Sequence, residues 1–185
     1  MKSFKEVYDE VEKRVSEQRL YHSKCVAIRC VELADKYGVD KDSAKMVGII
    51  HDIAKEMPSD LKIKYCEEHA LEIDEVERTH PGLLHGKIGA HIAKTEFGYS
   101  EDLCSAVRYH TTGKEKMSKL DKILYVADMS SQDRNFSDKD YIIELADKDL
   151  DECVKYILKT GISELLERNR KIHLNSVKAL NYLIN

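Results

Sequence analysis

The chain has 185 residues, a formal net charge of −4, and 35% charged against 42% hydrophobic residues. This excludes a disordered chain and a global basic field for nucleic acid, so an anionic substrate would have to be held by local cations or a metal. With two prolines and eight glycines, the composition favours long helices over a turn-rich β fold. Cys25, Cys30, Cys66, Cys104 and Cys153 are odd in number and form no C-x-x-C pair. They read as small hydrophobes on helix faces in a reducing, cytoplasmic setting. No apolar segment follows the charged start of the chain and none is long enough for a bilayer, so neither a signal peptide nor a membrane partner is expected.

Phe4, Val7, Val11 and Val15 recur at helical spacing and predict an amphipathic helix over 4–17. Ser16 is placed to cap a second helix, which Gly38 ends. On that helix His22 lies four before Val26 and eight before Cys30, so it points inward with them. Asp40 or Asp42 caps a third helix, which runs through Val47-Gly48-Ile49-Ile50 into His51-Asp52 and is closed by Pro58. A shorter helix carries Leu61, Ile63, Tyr65 and Cys66. Residues 69–84 read as a loop with one helical turn at most, marked by Pro81-Gly82. His85 starts a helix that ends near Gly98. Ser100 caps the next, with Leu103, Ala106, Val107 and His110 on one face and Gly113 as its end. Ser118 opens another, with Leu120, Ile123, Leu124, Ala127 and Asp128 on its buried side. Residues 129–139 read as a polar loop, 141–146 and 150–166 as helices, and a last helix is expected from about Arg168. The expected architecture is all-α, a single-domain helical bundle over residues 1–185 without strands or repeats.

Imidazole and carboxylate at the edge of a core are costly unless something pairs with them. A metal cation is one partner that suits both. The dipeptide His51-Asp52 alone also fits a polar helix end open to water. His22, His85, His110 and Asp128, each on a different apolar helix face, shift the balance toward a shared centre. Two imidazoles and two carboxylates, without thiolate, match a divalent cation such as iron, manganese or zinc and argue against a structural zinc site. By contrast, His69 and His80 read as solvated, His91 as a surface residue, and Lys87 and Arg108 as solvated charges.

The order His…His-Asp…His…His…Asp on helices resembles the HD-domain metal-dependent phosphohydrolases. Five motifs narrow the resemblance. They are Arg19-Leu20-Tyr21-His22-Ser23, His51-Asp52-Ile53-Ala54-Lys55, Leu84-His85-Gly86 with Gly89-Ala90, His110-Thr111-Thr112-Gly113, and Tyr125-Val126-Ala127-Asp128 followed by Arg134. They are similar to those of the YqeK-like bacterial bis(5′-nucleosyl)-tetraphosphatases, which split diadenosine tetraphosphate into two ADP. Met129-Ser130-Ser131-Gln132-Asp133 departs from the more apolar, proline-containing stretch usual there.

The resemblance implies a bundle of the HD-domain type and a metal, iron in the first place, with manganese, cobalt or zinc as alternatives. His22, His51, Asp52 and Asp128 would bind it, and Asp52 could bridge to a second ion at His85 and His110. Catalytic roles are implied for Asp52, Lys55, His85 and His110; with one ion only, His110 or His85 would be the general acid. Substrate contacts are implied for Arg19, His22, Asp52, Ile53, Ala54, Lys55, His85, His110, Thr111, Asp128, Arg134 and His173, the last in a segment, Arg170 to Asn175, that closes over the nucleotide. The partner would be a small nucleotide, a dinucleoside polyphosphate or its ADP- or GDP-like product; a homodimer is left open. The same site could serve another phosphohydrolase, a 5′-nucleotidase or nucleotide phosphodiesterase, or a nucleotide-binding sensor without turnover.

Overall fold

Ser3 opens the first helix with a capping box: its hydroxyl accepts from the Glu6 amide, and the Glu6 carboxylate accepts from the Ser3 amide at 2.8 Å. In the computed structural model, which describes residues 2–184, this helix α1 spans Phe4–Arg14. It stops short of residue 17 because Ser16 serves as N-cap of α2 (Glu17–Tyr37), accepting from the Arg19 amide at 3.2 Å. Gly38 ends α2 at φ +67°, and Asp40 caps α3 (Lys41–Ile50) by accepting from the Ser43 amide at 2.7 Å.

The third helix was expected to continue to Pro58, and it does not. It ends at Ile50, and residues 51–57 form tight turns in which Ile53 donates to the Ile50 carbonyl and Lys55 to the Asp52 carbonyl, both at 2.9 Å. Pro58 already disfavours helical backbone at Met57. The turns set Asp52 facing the interior, where it is 2% exposed.

The chain continues through α4 (Ser59–Glu68), α5 (Glu75–Thr79), a 3-10 turn (Pro81–Leu83), α6 (Leu84–Thr95), α7 (Glu101–Tyr109), α8 (Lys119–Ser130), α9 (Lys139–Lys148), α10 (Leu150–Glu167) and α11 (Leu174–Ile184), with no strand among the described residues. The stretch 69–84 is more ordered than expected. Asp74 and Glu77 form a capping box for α5, a signal present in the sequence as acid-x-x-Glu. The last helix starts at Leu174, not near Arg168. Asn169, at φ +51°, closes α10 in a Schellman arrangement: the Arg170 amide donates to Leu165 at 2.8 Å and the Asn169 amide to Leu166 at 3.0 Å. Residues 170–173 are therefore an irregular strap.

The core lies between α2, α3, α6, α7 and α8. Leu33, Val47, Ile50, Leu84, Ile88, Val107, Ile123 and Leu124 are fully buried there, each stabilising the fold by about 1.5–3 kcal/mol. Glycine sets the close helix contacts. A Cβ on Gly48 would lie 2.5 Å from the Ala27 Cα, and one on Gly86 2.9 Å from the Arg108 carbonyl oxygen. These approaches bring α3 onto α2 and α6 onto α7, and with them the histidines these helices carry. All five cysteines are buried and free. No helix among the described residues is long and apolar enough to cross a membrane.

Lys87, read as a solvated charge, and His91, read as a surface residue, are both partly covered. Lys87 is largely covered and donates to Glu77 Oε2 at 2.6 Å. His91 is half-buried, its Nδ1 2.9 Å from the Tyr65 hydroxyl and its ring beside that of His69. In both cases the partner is remote in sequence and brought in by packing.

Candidate active site

Four histidines reach one buried point from four elements: His22 near the start of α2, His51 at the end of α3, His85 in the first turn of α6 and His110 at the end of α7. Three share one device. The Nδ1 atoms of His51, His85 and His110 lie 2.8, 2.5 and 2.7 Å from the carbonyl oxygen three residues back, on Gly48, Gly82 and Val107. A carbonyl can only accept, so Nδ1 carries the proton and Nε2 turns its lone pair to the centre. His22 is oriented by a carboxylate, its Nδ1 2.7 Å from Asp133 Oδ2, while the Ser131 hydroxyl donates to Asp133 Oδ1 at 2.7 Å.

Asp52 sits in the middle. Its Oδ2 lies 3.5 Å from His51 Nε2 and 3.9 Å from His22 Nε2, and its Oδ1 3.1 Å from His85 Nε2 and 3.6 Å from His110 Nε2. Asp128, from α8, completes the first side with Oδ1 3.1 Å from His22 Nε2 and 3.9 Å from His51 Nε2. On the second side the Nε2 atoms of His85 and His110 are 3.0 Å apart.

Lone-pair nitrogens facing carboxylate oxygens repel unless a positive charge lies between them. His51 Nε2 and Asp52 Oδ1 are buried without a hydrogen-bond partner, which costs about 1–3 kcal/mol each. A divalent cation with bonds of about 2.0–2.2 Å relieves both, and nitrogen and oxygen donors without thiolate suit such an ion. The ligand atoms of His22, His51 and Asp128 lie within 4.8 Å of one another, as do those of His51, Asp52 and His110. One ion could be held by His22, His51, Asp52 and Asp128, and a second by His85, His110 and the other oxygen of Asp52.

The titration behaviour follows from the same crowding. Burial would raise the Asp52 carboxyl, but His51 first and then the nearby imidazoles of His110 and His85 hold it well below the carboxylate range. Asp128 is likewise held down against burial, by His22 first and then by His51 and Arg134. His51, although burial works against it, is raised by Asp52 and Asp128. Burial, opposed by the neighbouring Asp52 carboxylate and reinforced by His110 and Lys55, brings His85 down to about 4. A histidine so depressed stabilises the fold above its unfolded value of about 6.5, and that contribution is lost as pH falls through 4. Thermal melts of metal-free protein should accordingly show Tm falling from pH 6.5 toward 4, and His85→Gln should flatten that slope.

Three partly exposed cations stand around the centre. Arg19 Nη1 is 2.8 Å from Asp52 Oδ2, Lys55 Nζ is 3.5 Å from His85 Nε2 and 4.0 Å from Asp52 Oδ1, and Arg134 donates through Nε to the Asp128 carbonyl at 2.7 Å and through Nη2 to the Asp128 carboxylate. Arg134 reaches the centre although the stretch before it departs from the resembled pattern. Ile53 and Ala54 are buried in the core and could offer only backbone to a substrate. Thr111 and His173 line a neighbouring cavity of about 270 Å³, and His173 pairs with Asp74 rather than with any group of the centre.

Sequence reasoning missed two residues. Asp133 fixes His22, and buried Lys62 donates to the Lys55 carbonyl at 2.9 Å, holding the turn that carries Asp52. Neither stands out from an ordinary surface charge without the fold. Carboxylates behind a ligating histidine typically govern metal affinity by about 10–100-fold. Asp133→Asn should lower it by that factor in a chelator competition, with turnover largely restored at saturating metal.

A helical bundle that closes histidines and aspartates from separate helices around such a point has the build of a metal-dependent phosphohydrolase. The HD domain family matches residues 19–133, more than half of the chain, and the protein belongs to that family. It is 29% identical over 175 residues to the symmetrical bis(5′-nucleosyl)-tetraphosphatase of Bacillus subtilis, with 94% of each chain covered. It is 31% identical over 180 residues to the enzyme of that name from Halalkalibacterium halodurans, covering 94% of this chain and 93% of that one. Among solved structures, an HD superfamily hydrolase from Clostridium acetobutylicum, described as involved in NAD metabolism, superimposes with a TM-score of 0.95 at 33% identity, over 100% of this chain and 98% of that one.

Proposed function

We infer that this protein is a metal-dependent hydrolase that splits symmetrical dinucleoside tetraphosphates, diadenosine tetraphosphate in particular, into two nucleoside diphosphates. One observation carries the reading. Asp52 turns each of its oxygens to a different group of imidazole Nε2 atoms at 3.1–3.9 Å, with Arg19 and Lys55 alongside. The names of the relatives support the substrate.

A divalent cation bound there, proposed to be iron, would polarise a phosphoryl oxygen and lower the pKa of the attacking water. The chain's own groups do the rest. Asp52 and Asp128 supply negative charge to hold the centre, and the backbone carbonyls behind His51, His85 and His110 keep every Nε2 aimed inward. Arg19, Lys55 and Arg134 meet the phosphate charges, the guanidiniums with paired N–H donors. Water adds to one of the two central phosphorus atoms, the bridging oxygen leaves with the other, and that second ADP takes up a proton. In a one-ion centre His85 and His110 would face the phosphates, and one of them would pass a proton to the leaving diphosphate; in a two-ion centre both would be ligands. The proposed setting is the cytoplasm.

The test is a product assay on metal-loaded protein with diadenosine tetraphosphate, with metal content measured on the same sample. ADP as sole product is expected. A folded, metal-loaded protein that releases no ADP overturns the reading, and AMP or inorganic phosphate moves the site to another phosphoester.

A further inference from the structure

The His85 and His110 side of the centre is tied to the C-terminal strap and the start of α11, whereas among the described residues no hydrogen bond of the strap reaches His22, His51 or Asp128. His173 is nearly buried in that strap. Its Nδ1 accepts from the Asn175 amide at 3.1 Å, and an amide can only donate, so the proton sits on Nε2, which donates to Asp74 Oδ2 at 2.7 Å. Both ring nitrogens are thus engaged within the protein.

The chain of contacts leads to His85. Asp74 and Glu77 cap α5 through each other's amides at 2.8 and 2.9 Å, and Glu77 accepts from Lys87, two residues beyond His85, at 2.6 Å. The helix α5 then runs directly into the 3-10 turn that presents the Gly82 carbonyl to His85 Nδ1. From the same strap the first turn of α11 reaches the His110 turn. There the Ser176 hydroxyl donates to the Thr112 carbonyl at 2.8 Å. Gly113, at φ +66°, lies so close to α11 that a Cβ on it would be 3.1 Å from the Ala179 methyl.

We propose that His173 and Ser176 are positioning residues: they brace the two turns that hold His85 and His110, and so set the 3.0 Å approach of those imidazoles. The brace follows from geometry alone; its catalytic consequence rests on the proposed hydrolysis. The test compares His173→Leu, which removes the bond to Asp74, with His173→Gln, whose amide can replace it, and with Ser176→Ala.

In metal-free protein, ¹⁵N imidazole spectra of His173→Leu and of Ser176→Ala should show the His85 and His110 signals displaced, with those of His22 and His51 in place. With diadenosine tetraphosphate, His173→Leu should lower kcat about tenfold or more at nearly unchanged KM, the size typical of supporting contacts, and His173→Gln should recover most of it. The proposal is overturned if no signal moves, if all four move together, if KM alone rises, or if glutamine fails to restore what leucine lost. Should His173→Leu not fold, Ser176→Ala decides by the same criteria. The spectra decide on the brace even if the wild-type protein releases no ADP.

Discussion

Replacing Asp52 by alanine is expected to abolish metal binding and turnover together, with activity lower by at least about 10³-fold, since loss of even one preorganised stabilising group costs 10²–10³. The two carboxylate oxygens of Asp52 face the two sides of the centre. Its Oδ2 faces His22 and His51, its Oδ1 faces His85 and His110, and Arg19 is paired with it at 2.8 Å. Asp52→Asn serves as control, because the amide keeps the volume and can donate to an imidazole Nε2. In both variants the rise in Tm on adding metal should vanish, since only an ion bound to the native state stabilises it. Metal analysis with melts in the presence and absence of metal checks this. Normal metal content in Asp52→Ala would refute the assignment of Asp52 as a ligand.

The second large effect is on the fold. Gly48→Ala adds one methyl group where α3 crosses α2, and its Cβ would sit 2.5 Å from the Ala27 Cα and 2.9 Å from the Ala27 nitrogen. The obstacle is backbone, which cannot rotate away, so the helices must separate. The expected loss is about 3 kcal/mol or more, at or above the top of the overpacking range, which for a chain of this size lowers Tm by roughly 10 °C. Gly48 also supplies the carbonyl that orients His51, so metal affinity should fall with stability. Gly161→Ala is the counterpart. It lies in α10 with nothing within 4 Å of the added Cβ, and there the same change should stabilise by about 0.5–1 kcal/mol. Denaturant titration of the two variants separates packing from helix propensity.

Much of this was open to reading along the chain. Ser16, Asp40 and Ser118 announced helix starts, and Gly38 a helix end, because capping is satisfied within a few residues. Helical periodicity placed His22 and Asp128 on inward faces, and His51-Asp52 next to an apolar run. Where the chain breaks a helix for the site's sake, periodicity misled. The turns after Ile50 were invisible in a continuous apolar pattern, and the late start of α11 at Leu174, after the irregular residues 170–173, was hidden by residues compatible with a helix from Arg168.

Residue types and local pattern thus determined the helical class, most helix boundaries and the set of histidines and aspartates able to hold a cation. Long-range packing decided the rest. It set Asp133 behind His22, Lys62 beneath Lys55 and Arg19 against Asp52, and it gave His173 to Asp74. The reason is physical. A cap or an amphipathic stripe is completed within one or two turns, whereas the partner that orients an imidazole or neutralises a carboxylate can come from any helix. Only the close crossings at Gly48 and Gly86 settle which one arrives.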